Sequence, residues 1–261
     1  MKSNTNSITF LGTGSSQGVP MIGCNCEVCR STDYRDKRLR SSVMIKIGDK
    51  ATIIIDSGMD FRWQMLRENI KKIDGIVFTH SHKDHIGGLD DVRAFNYFQK
   101  KDVDIYGEER VNKILLKDYD YAFSDHHYPG IPEIAMHTIS TETFTISGVK
   151  IEPIRVYHAR LPILGFKIEN ICYITDANRI EDSEIEKIKG VEILVLNALR
   201  LQSHISHFSL NEALEMVEKI APKRTYLTHC SHQLGRYEQI APQLPENVFL
   251  AYDGLKVFGK L

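Results

Sequence analysis

The chain has 261 residues, 42% of them hydrophobic, and a formal net charge of −1. That supplies enough apolar side chains for a substantial core, and the near-neutral balance speaks against nucleic-acid binding by bulk electrostatics. No apolar run nears the ~20 residues that cross a bilayer, and the polar opening MKSNTNS has no secretion-signal pattern, so a soluble cytoplasmic protein is expected.

The first element is a strand-like run, SITFLG (7–12). Next comes MIGCNCEVCR (21–30), which holds three of the five cysteines, Cys24, Cys26 and Cys29. In a reducing compartment so close a cluster more often holds metal than forms disulfides. A closed tetrahedral zinc site needs four ligands, and no fourth is obvious nearby. SVMIKIG (42–48) and ATIIIDSG (51–58) read as strands around a GDK turn. Residues 59–70 place Phe61, Met65, Leu66 and Ile70 at helical spacing, and GIVFTH (75–80) is the next strand.

A mixed region, 85–140, carries a predicted helix over 108–118. Strands return in TFTIS (143–147), VKIEPIRVYH (149–158), LGFKIEN (164–170) and ICYITDA (171–177). Helices over 181–189 and 209–220 flank the strand VEILVLNA (191–198). The second helix opens with Ser209 and has Glu212 three residues on, a capping-box pattern. RTYLTHC (224–230), a helix over 233–241 and VFLAYDG (248–254) complete the chain. No repeat or linker divides it, so one domain is expected over 1–261. Its architecture should be layered α/β, with two mixed sheets face to face and helices outside.

The densest cluster of ligand-type residues is THSHKDHIGG (79–88), with His80, His82, Asp84 and His85. His80 and His82 are two apart, so on an extended segment they project to one side. Asp84 and His85 come from the following turn, where Gly87 and Gly88 allow close packing. Four ligand types at this spacing argue for metal rather than for an exposed polar loop. His158, Asp176, His229 and Asp56 also end apolar runs. The count completes two sets: His80, His82 and His158 for one metal, Asp84, His85 and His229 for a second, with Asp176 between them. Two metals so arranged form a hydrolytic centre.

H-x-H-x-D-H followed by single His, Asp and His at strand ends resembles the metallo-β-lactamase superfamily across essentially the whole chain. The resemblance implies an αββα sandwich. It also places Asp56 where the superfamily has an Asp that orients ligands by hydrogen bond; a plain turn residue is an equal reading. The opening FLGTGSSQGVP (10–20) is similar to that of RNase Z-like and PhnP-type phosphodiesterases. In HISHFSLNEAL (204–214), His207 matches the His that those branches use as general acid. G-C-x-C-x-x-C is a mark of PhnP-type cyclic phosphodiesterases, where it holds a structural zinc. The fourth ligand there is a His three residues after the last active-site His, which here is His232; Cys230 is an alternative donor.

The resemblance implies hydrolysis of a small, cyclic phosphodiester, such as a ribose cyclic phosphate or a 2′,3′-cyclic nucleotide. Two divalent ions, zinc or manganese, would act with Asp84, Asp176 and His207 as catalytic residues. His204 and Arg160 are candidates for substrate contact, and the stretch 90–98 for pocket lining or core. No membrane is an expected partner, nucleic acid is not expected beyond short RNA or nucleotides, and a homodimer fits the family. A thioesterase or lactonase on the same centre, an RNA phosphodiesterase and a non-catalytic metal-binding protein are the rival readings.

Overall fold

The computed structural model describes residues 5–124 and 130–259. Strands β1 (Asn6–Gly12), β2 (Ser42–Ile47), β3 (Ala51–Ile55), β4 (Gly75–Val77), β5 (Val103–Glu108) and β6 (Ile134–Ile139) run in that order across one sheet. The second sheet takes β7 (Phe144–Ile146), β8 (Val149–His158), β9 (Leu161–Ile168), β10 (Ile171–Ile174), β11 (Arg179–Ile180), β12 (Ile193–Asn197), β13 (Arg224–Thr228) and β14 (Val248–Leu250). Its order is β11-β8-β9-β10-β12-β13-β14, with β7 paired to β8. The last strand, β15 (Lys256–Gly259), returns to the first sheet beside β1.

The apolar runs explain the layering. Ile53 and Ile55 of β3 point between the sheets, together with Phe10, Ile45, Phe166, Ile193 and Val195. Ile54 points the other way, into a layer formed by α1 (Phe61–Arg67), α2 (Lys83–Ile86), α3 (Arg93–Gln99) and α4 (Glu109–Asp118). On the opposite sheet, Leu194 and Leu196 face α5 (Asp182–Ile188) and α6 (Leu210–Ile220). A strand covered on both faces needs apolar residues at every position, which is why III (53–55) and ILVL (193–196) are unbroken rather than alternating. The result is the expected αββα sandwich.

Element bounds differ from the sequence reading where the backbone turns. The 59–70 helix stops at Arg67, because Asn69 takes a left-handed φ of 52°. Over 233–241 only Tyr237–Ile240 is α-helical, and a 3-10 turn containing Pro242 follows it. The expected capping box of α6 is present: Ser209 Oγ accepts from Glu212 N–H, and Glu212 Oε2 accepts from Ser209 N–H at 2.7 Å. β3, β4, β8, β10 and β13 all run toward the same rim of the sandwich. The histidines and aspartates singled out above lie at that rim.

Candidate metal centre

The chain leaves three strands by the same device. Asp56 after β3, Asp176 after β10 and His229 after β13 have φ values of 65°, 59° and 54°. Non-glycine residues seldom adopt this left-handed region, and Asp and His are among those that tolerate it best. Each residue turns its strand sharply, and each is essentially buried. His158 is the final residue of β8. The positions that ended apolar runs in the sequence are therefore the corners of the sheets.

His80 and His82 come from the extended segment after β4, and His82 caps α2, which carries Asp84 and His85. The segment packs closely against the β3 turn. Ser57 N–H donates to His85 O, and Gly88 N–H donates to Ser57 O, both at 2.8 Å. A Cβ on Gly58 would fall 1.9 Å from Asp84 O, and one on Gly88 would fall 2.1 Å from Gly58 O. The glycines are there because the two backbones need the space.

Asp176 is the hub. Its Oδ1 lies 3.1 Å from His229 Nδ1 and 3.4 Å from His85 Nε2. Its Oδ2 lies 3.2 Å from His207 Nε2 and 3.9 Å from His80 Nε2. Asp84 Oδ2 is 3.2 Å from His85 Nε2. The His80 ring centroid is 4.5 Å from that of His82 and 5.8 Å from that of His158, and His82 and His158 are 5.2 Å apart. All seven residues expected as ligands thus converge, and Asp176 reaches members of both sets.

The donor chemistry fits a metal. His158 Nδ1 lies 2.8 Å from Asp176 O and 2.9 Å from Ser206 O. Carbonyls only accept, so this nitrogen carries the hydrogen and Nε2 is bare. His85 Nδ1 is engaged by Asp56 Oδ2 at 2.7 Å. The buried Nε2 atoms of His80 and His85 make no hydrogen bond, and that of His85 has only its ion-pair contacts with Asp84 and Asp176. A buried polar atom without a partner is costly, and a coordinated cation would satisfy both. Imidazole and carboxylate together suit several divalent ions.

The electrostatics follow from burial and carboxylates. Burial, helped by nearby His85, holds His80 well below the ordinary histidine value. Burial likewise brings His229 down to about 4, against the pull of Asp176. Around His85 burial also opposes charge, but Asp176, Asp84 and Asp56 outweigh it and hold the group well above its ordinary value. Asp176 and Asp84 are kept below the usual carboxylate range; burial opposes this, and the surrounding histidines prevail. The cluster draws positive charge inward, as a cation site must.

A second group lies where the loop after β1 meets the segment after β13. Sγ of Cys24, Cys26 and Cys29 and a ring nitrogen of His232 lie within 4.8 Å of one another. His232 Nδ1 is 3.3 Å from both Cys24 Sγ and Cys26 Sγ. Burial raises the Cys26 thiol, yet the Cys29 N–H and His232 beside it bring it down to about 6. Cys230 is buried in the core under the outer helices and does not join the group. Three thiols and one imidazole make a ligand set suited to zinc.

The loop 199–209 brings His207 over the hub. Its ring stacks on His229, with centroids 5.0 Å apart. Ser206 Oγ and His204 Nδ1 lie 3.0 and 3.2 Å from its Nδ1.

The Beta-lactamase superfamily domain model matches residues 51–230. The crystal structure of a new diphosphatase from the PhnP family superposes with a TM-score of 0.91 at 40% identity, covering 98% of this chain and 97% of that one. The chain belongs to the beta-lactamase superfamily and to its PhnP family. An octanoyltransferase of Porphyromonas gingivalis is 36% identical over 249 residues, which is 95% of this chain and 50% of that protein. A ribonuclease Z of Nostoc is 27% identical over 197 residues, 71% of this chain and 51% of that protein. The chain spans about half the length of these two curated relatives.

Two further candidate contacts of this PhnP-family fold are exposed or divided. Arg160 is exposed in the turn after β8. The 90–98 stretch divides: Phe95 is core, while Tyr97 and Phe98 are exposed. Phe95 and Phe98 line a groove of about 480 Å³ between α1 and α3, apart from the histidines. Sequence reasoning missed the residues that hold the candidate ligands in place. Ser41 Oγ lies 3.2 Å from His229 Nδ1. Thr175 Oγ1 donates to Asp176 Oδ1 at 2.6 Å. Asn197 holds the turn after Asp176 through both the N–H and the C=O of Ala177. Thr175 and Asn197 also stand at ends of apolar runs, so the signal that marked the ligands extends to uncharged residues. No helix among the described residues is long and apolar enough to cross a membrane.

Proposed function

We propose that this protein is a metal-dependent hydrolase of a small phosphodiester, with a cyclic ribose phosphate or 2′,3′-cyclic nucleotide as the substrate class. His80, His82 and His158 would hold one divalent ion, zinc or manganese; Asp84, His85 and His229 would hold the other; Asp176 would serve both. Two such ions, when bound, supply a nucleophile at neutral pH and offset charge on the phosphoryl oxygens. Asp176 and Asp84 keep the reacting centre anionic enough to retain them. His207 holds on Nε2 the proton that the departing oxygen needs. Ser206 and His204 fix its ring from the Nδ1 side. Cys24, Cys26, Cys29 and His232 would hold one structural zinc; four protein ligands leave no position for substrate.

The observation that carries this reading is the approach of His207 Nε2 to Asp176 Oδ2 at 3.2 Å. It supports a proton donor at the hub of the metal set, which a departing alkoxide requires and a thiolate leaving a thioester does not. The 40%-identical diphosphatase of the PhnP family supports a second substrate class, a diphosphate cleaved at its phosphoanhydride bond, whose phosphate leaving group depends less on a proton donor. Metal-loaded protein assayed on ribose cyclic phosphate, 2′,3′-cyclic nucleotides, a dinucleoside diphosphate, a thioester and a lactone decides. Turnover of the phosphodiesters is expected; turnover of only the thioester or lactone would overturn the proposal.

A further inference from the structure

We infer that Thr79 is a positioning residue which, through Asp56, sets the orientation of one histidine in each half of the candidate metal centre. This rests on the dinuclear reading above, but its geometry stands on hydrogen bonds alone. Asp56 is wholly buried, and three donors converge on its carboxylate. Thr79 N–H reaches Oδ1 at 2.8 Å, Thr79 Oγ1 reaches Oδ2 at 2.8 Å, and His85 Nδ1 reaches Oδ2 at 2.7 Å.

The proton count fixes the rest. A threonine hydroxyl has one hydrogen and two lone pairs. Here the hydrogen goes to Asp56. The same oxygen lies 3.0 Å from His80 Nδ1, and toward that nitrogen it has only lone pairs to offer. His80 Nδ1 must therefore donate, which leaves Nε2 bare and facing the cluster. His85 Nδ1 must donate as well, since it meets a carboxylate. One buried carboxylate thus selects the tautomer and ring angle of His85 directly and of His80 through Thr79. The two rings are 4.2 Å apart between centroids, and the proposed function assigns them to different metals. Fixing the ring nitrogen that faces away from a metal typically changes affinity by ~10–100-fold.

Threonine is suited to this position. Its backbone N–H and hydroxyl both bind Asp56, so the relay forms when the chain turns after β4. Valine has nearly the same shape and lacks only the hydroxyl. Thr79→Val should remove the relay without opening a cavity, and Thr79→Ser should retain it.

The first measurement uses metal-free protein, so it does not depend on any metal being bound. Long-range ¹H–¹⁵N spectra of the imidazoles should show His80 protonated at Nδ1 in the wild type and in Thr79→Ser, and shifted toward Nε2 in Thr79→Val. His85 should stay protonated at Nδ1 in both variants. The second measurement is zinc titration of folded protein. Thr79→Val should bind the weaker of its two active-site equivalents ~10–100-fold less tightly than wild type, while Thr79→Ser stays within a few-fold. A wild-type His80 protonated at Nε2, or a folded Thr79→Val protein with unchanged tautomer and zinc affinity, would overturn the inference. A wild type with the expected tautomers that takes up no active-site metal would sink the dinuclear reading instead.

Discussion

His207 Nε2 and Asp176 Oδ2 are 3.2 Å apart, in a protein whose two residues are separated by 31 positions and by strand β12. The loop before α6 is what brings them together. Phe208 N–H donates to Ala177 O, and His158 Nδ1 reaches Ser206 O, so the loop is pinned on both sides of His207. A group held this firmly at the hub suits a proton donor better than a surface histidine.

If it is one, His207→Ala should lower kcat on a ribose cyclic phosphate by ~10²–10⁴-fold. On bis(p-nitrophenyl) phosphate the loss should be about tenfold or less, because p-nitrophenolate leaves without a proton. Steady-state rates on the two substrates check this. Equal losses on both would mean that His207 binds rather than protonates.

The metal-free protein should lose stability on mild acidification. His80 is held well below 6.5, and His229 falls from 6.5 to about 4. Between those values the unfolded chain binds protons that the folded chain does not, so their contribution is present above pH 6.5 and lost as pH falls toward 4. For His229 alone the loss is on the order of 3 kcal/mol. His85, raised instead, contributes below 6.5 and acts in the opposite direction. His82 and His204 are lowered by burial too, while Asp253, raised by burial to about 6, and Asp56, also raised, act with His85. With the four lowered histidines prevailing, urea midpoints in chelator should fall from pH 7.0 to 4.5; a midpoint that rises would show that the raised groups dominate instead.

Gly58→Ala should damage the site from outside it. The added Cβ meets Asp84 O at 1.9 Å, so either the β3 turn or α2 must move. We expect a cost of about 1–3 kcal/mol and reduced metal uptake, since Asp84 and His85 move with the backbone. Thermal melts with metal analysis test this. A variant with full metal content and an unchanged melting temperature would contradict it.

Cys26→Ser should remove one zinc equivalent and leave the two active-site metal equivalents in place. A loss of about 3 kcal/mol corresponds to a fall of roughly 6–12 °C in melting temperature at this size. Turnover at a temperature where the variant stays folded should be within a few-fold of wild type. A folded variant that keeps all its zinc yet loses turnover would move the cysteine group into the reaction itself.

Much of the site was legible because its residues are of restricted type and stand at strand ends. His80, His82, Asp84 and His85 announced themselves by spacing, and Asp176 and His229 by interrupting apolar runs. The two-faced burial of β3 and β12 made the layering readable as well. What the sequence did not disclose is pairing across long separations by ordinary residues. Ser41 meets His229 across 188 positions, and no local pattern marks a serine for that role. The edges were obscure for a similar reason. β5 alternates buried and half-buried positions, and β6 is largely half-buried or exposed, so neither has the dense apolar run that marks a central strand.

The left-handed turns at Asp56, Asp176 and His229 carry a backbone cost that side-chain bonds can offset. Each left-handed non-glycine residue costs on the order of 1 kcal/mol or more, and glycine would relax the backbone. At the corner after β3, however, glycine would leave Thr79 N–H, Thr79 Oγ1 and His85 Nδ1 without their buried acceptor, at about 1–3 kcal/mol each. Glycine there is a net loss of stability. That corner is therefore closed to the usual route of thermal improvement, and its carboxylate is kept by folding itself, whatever use is made of it.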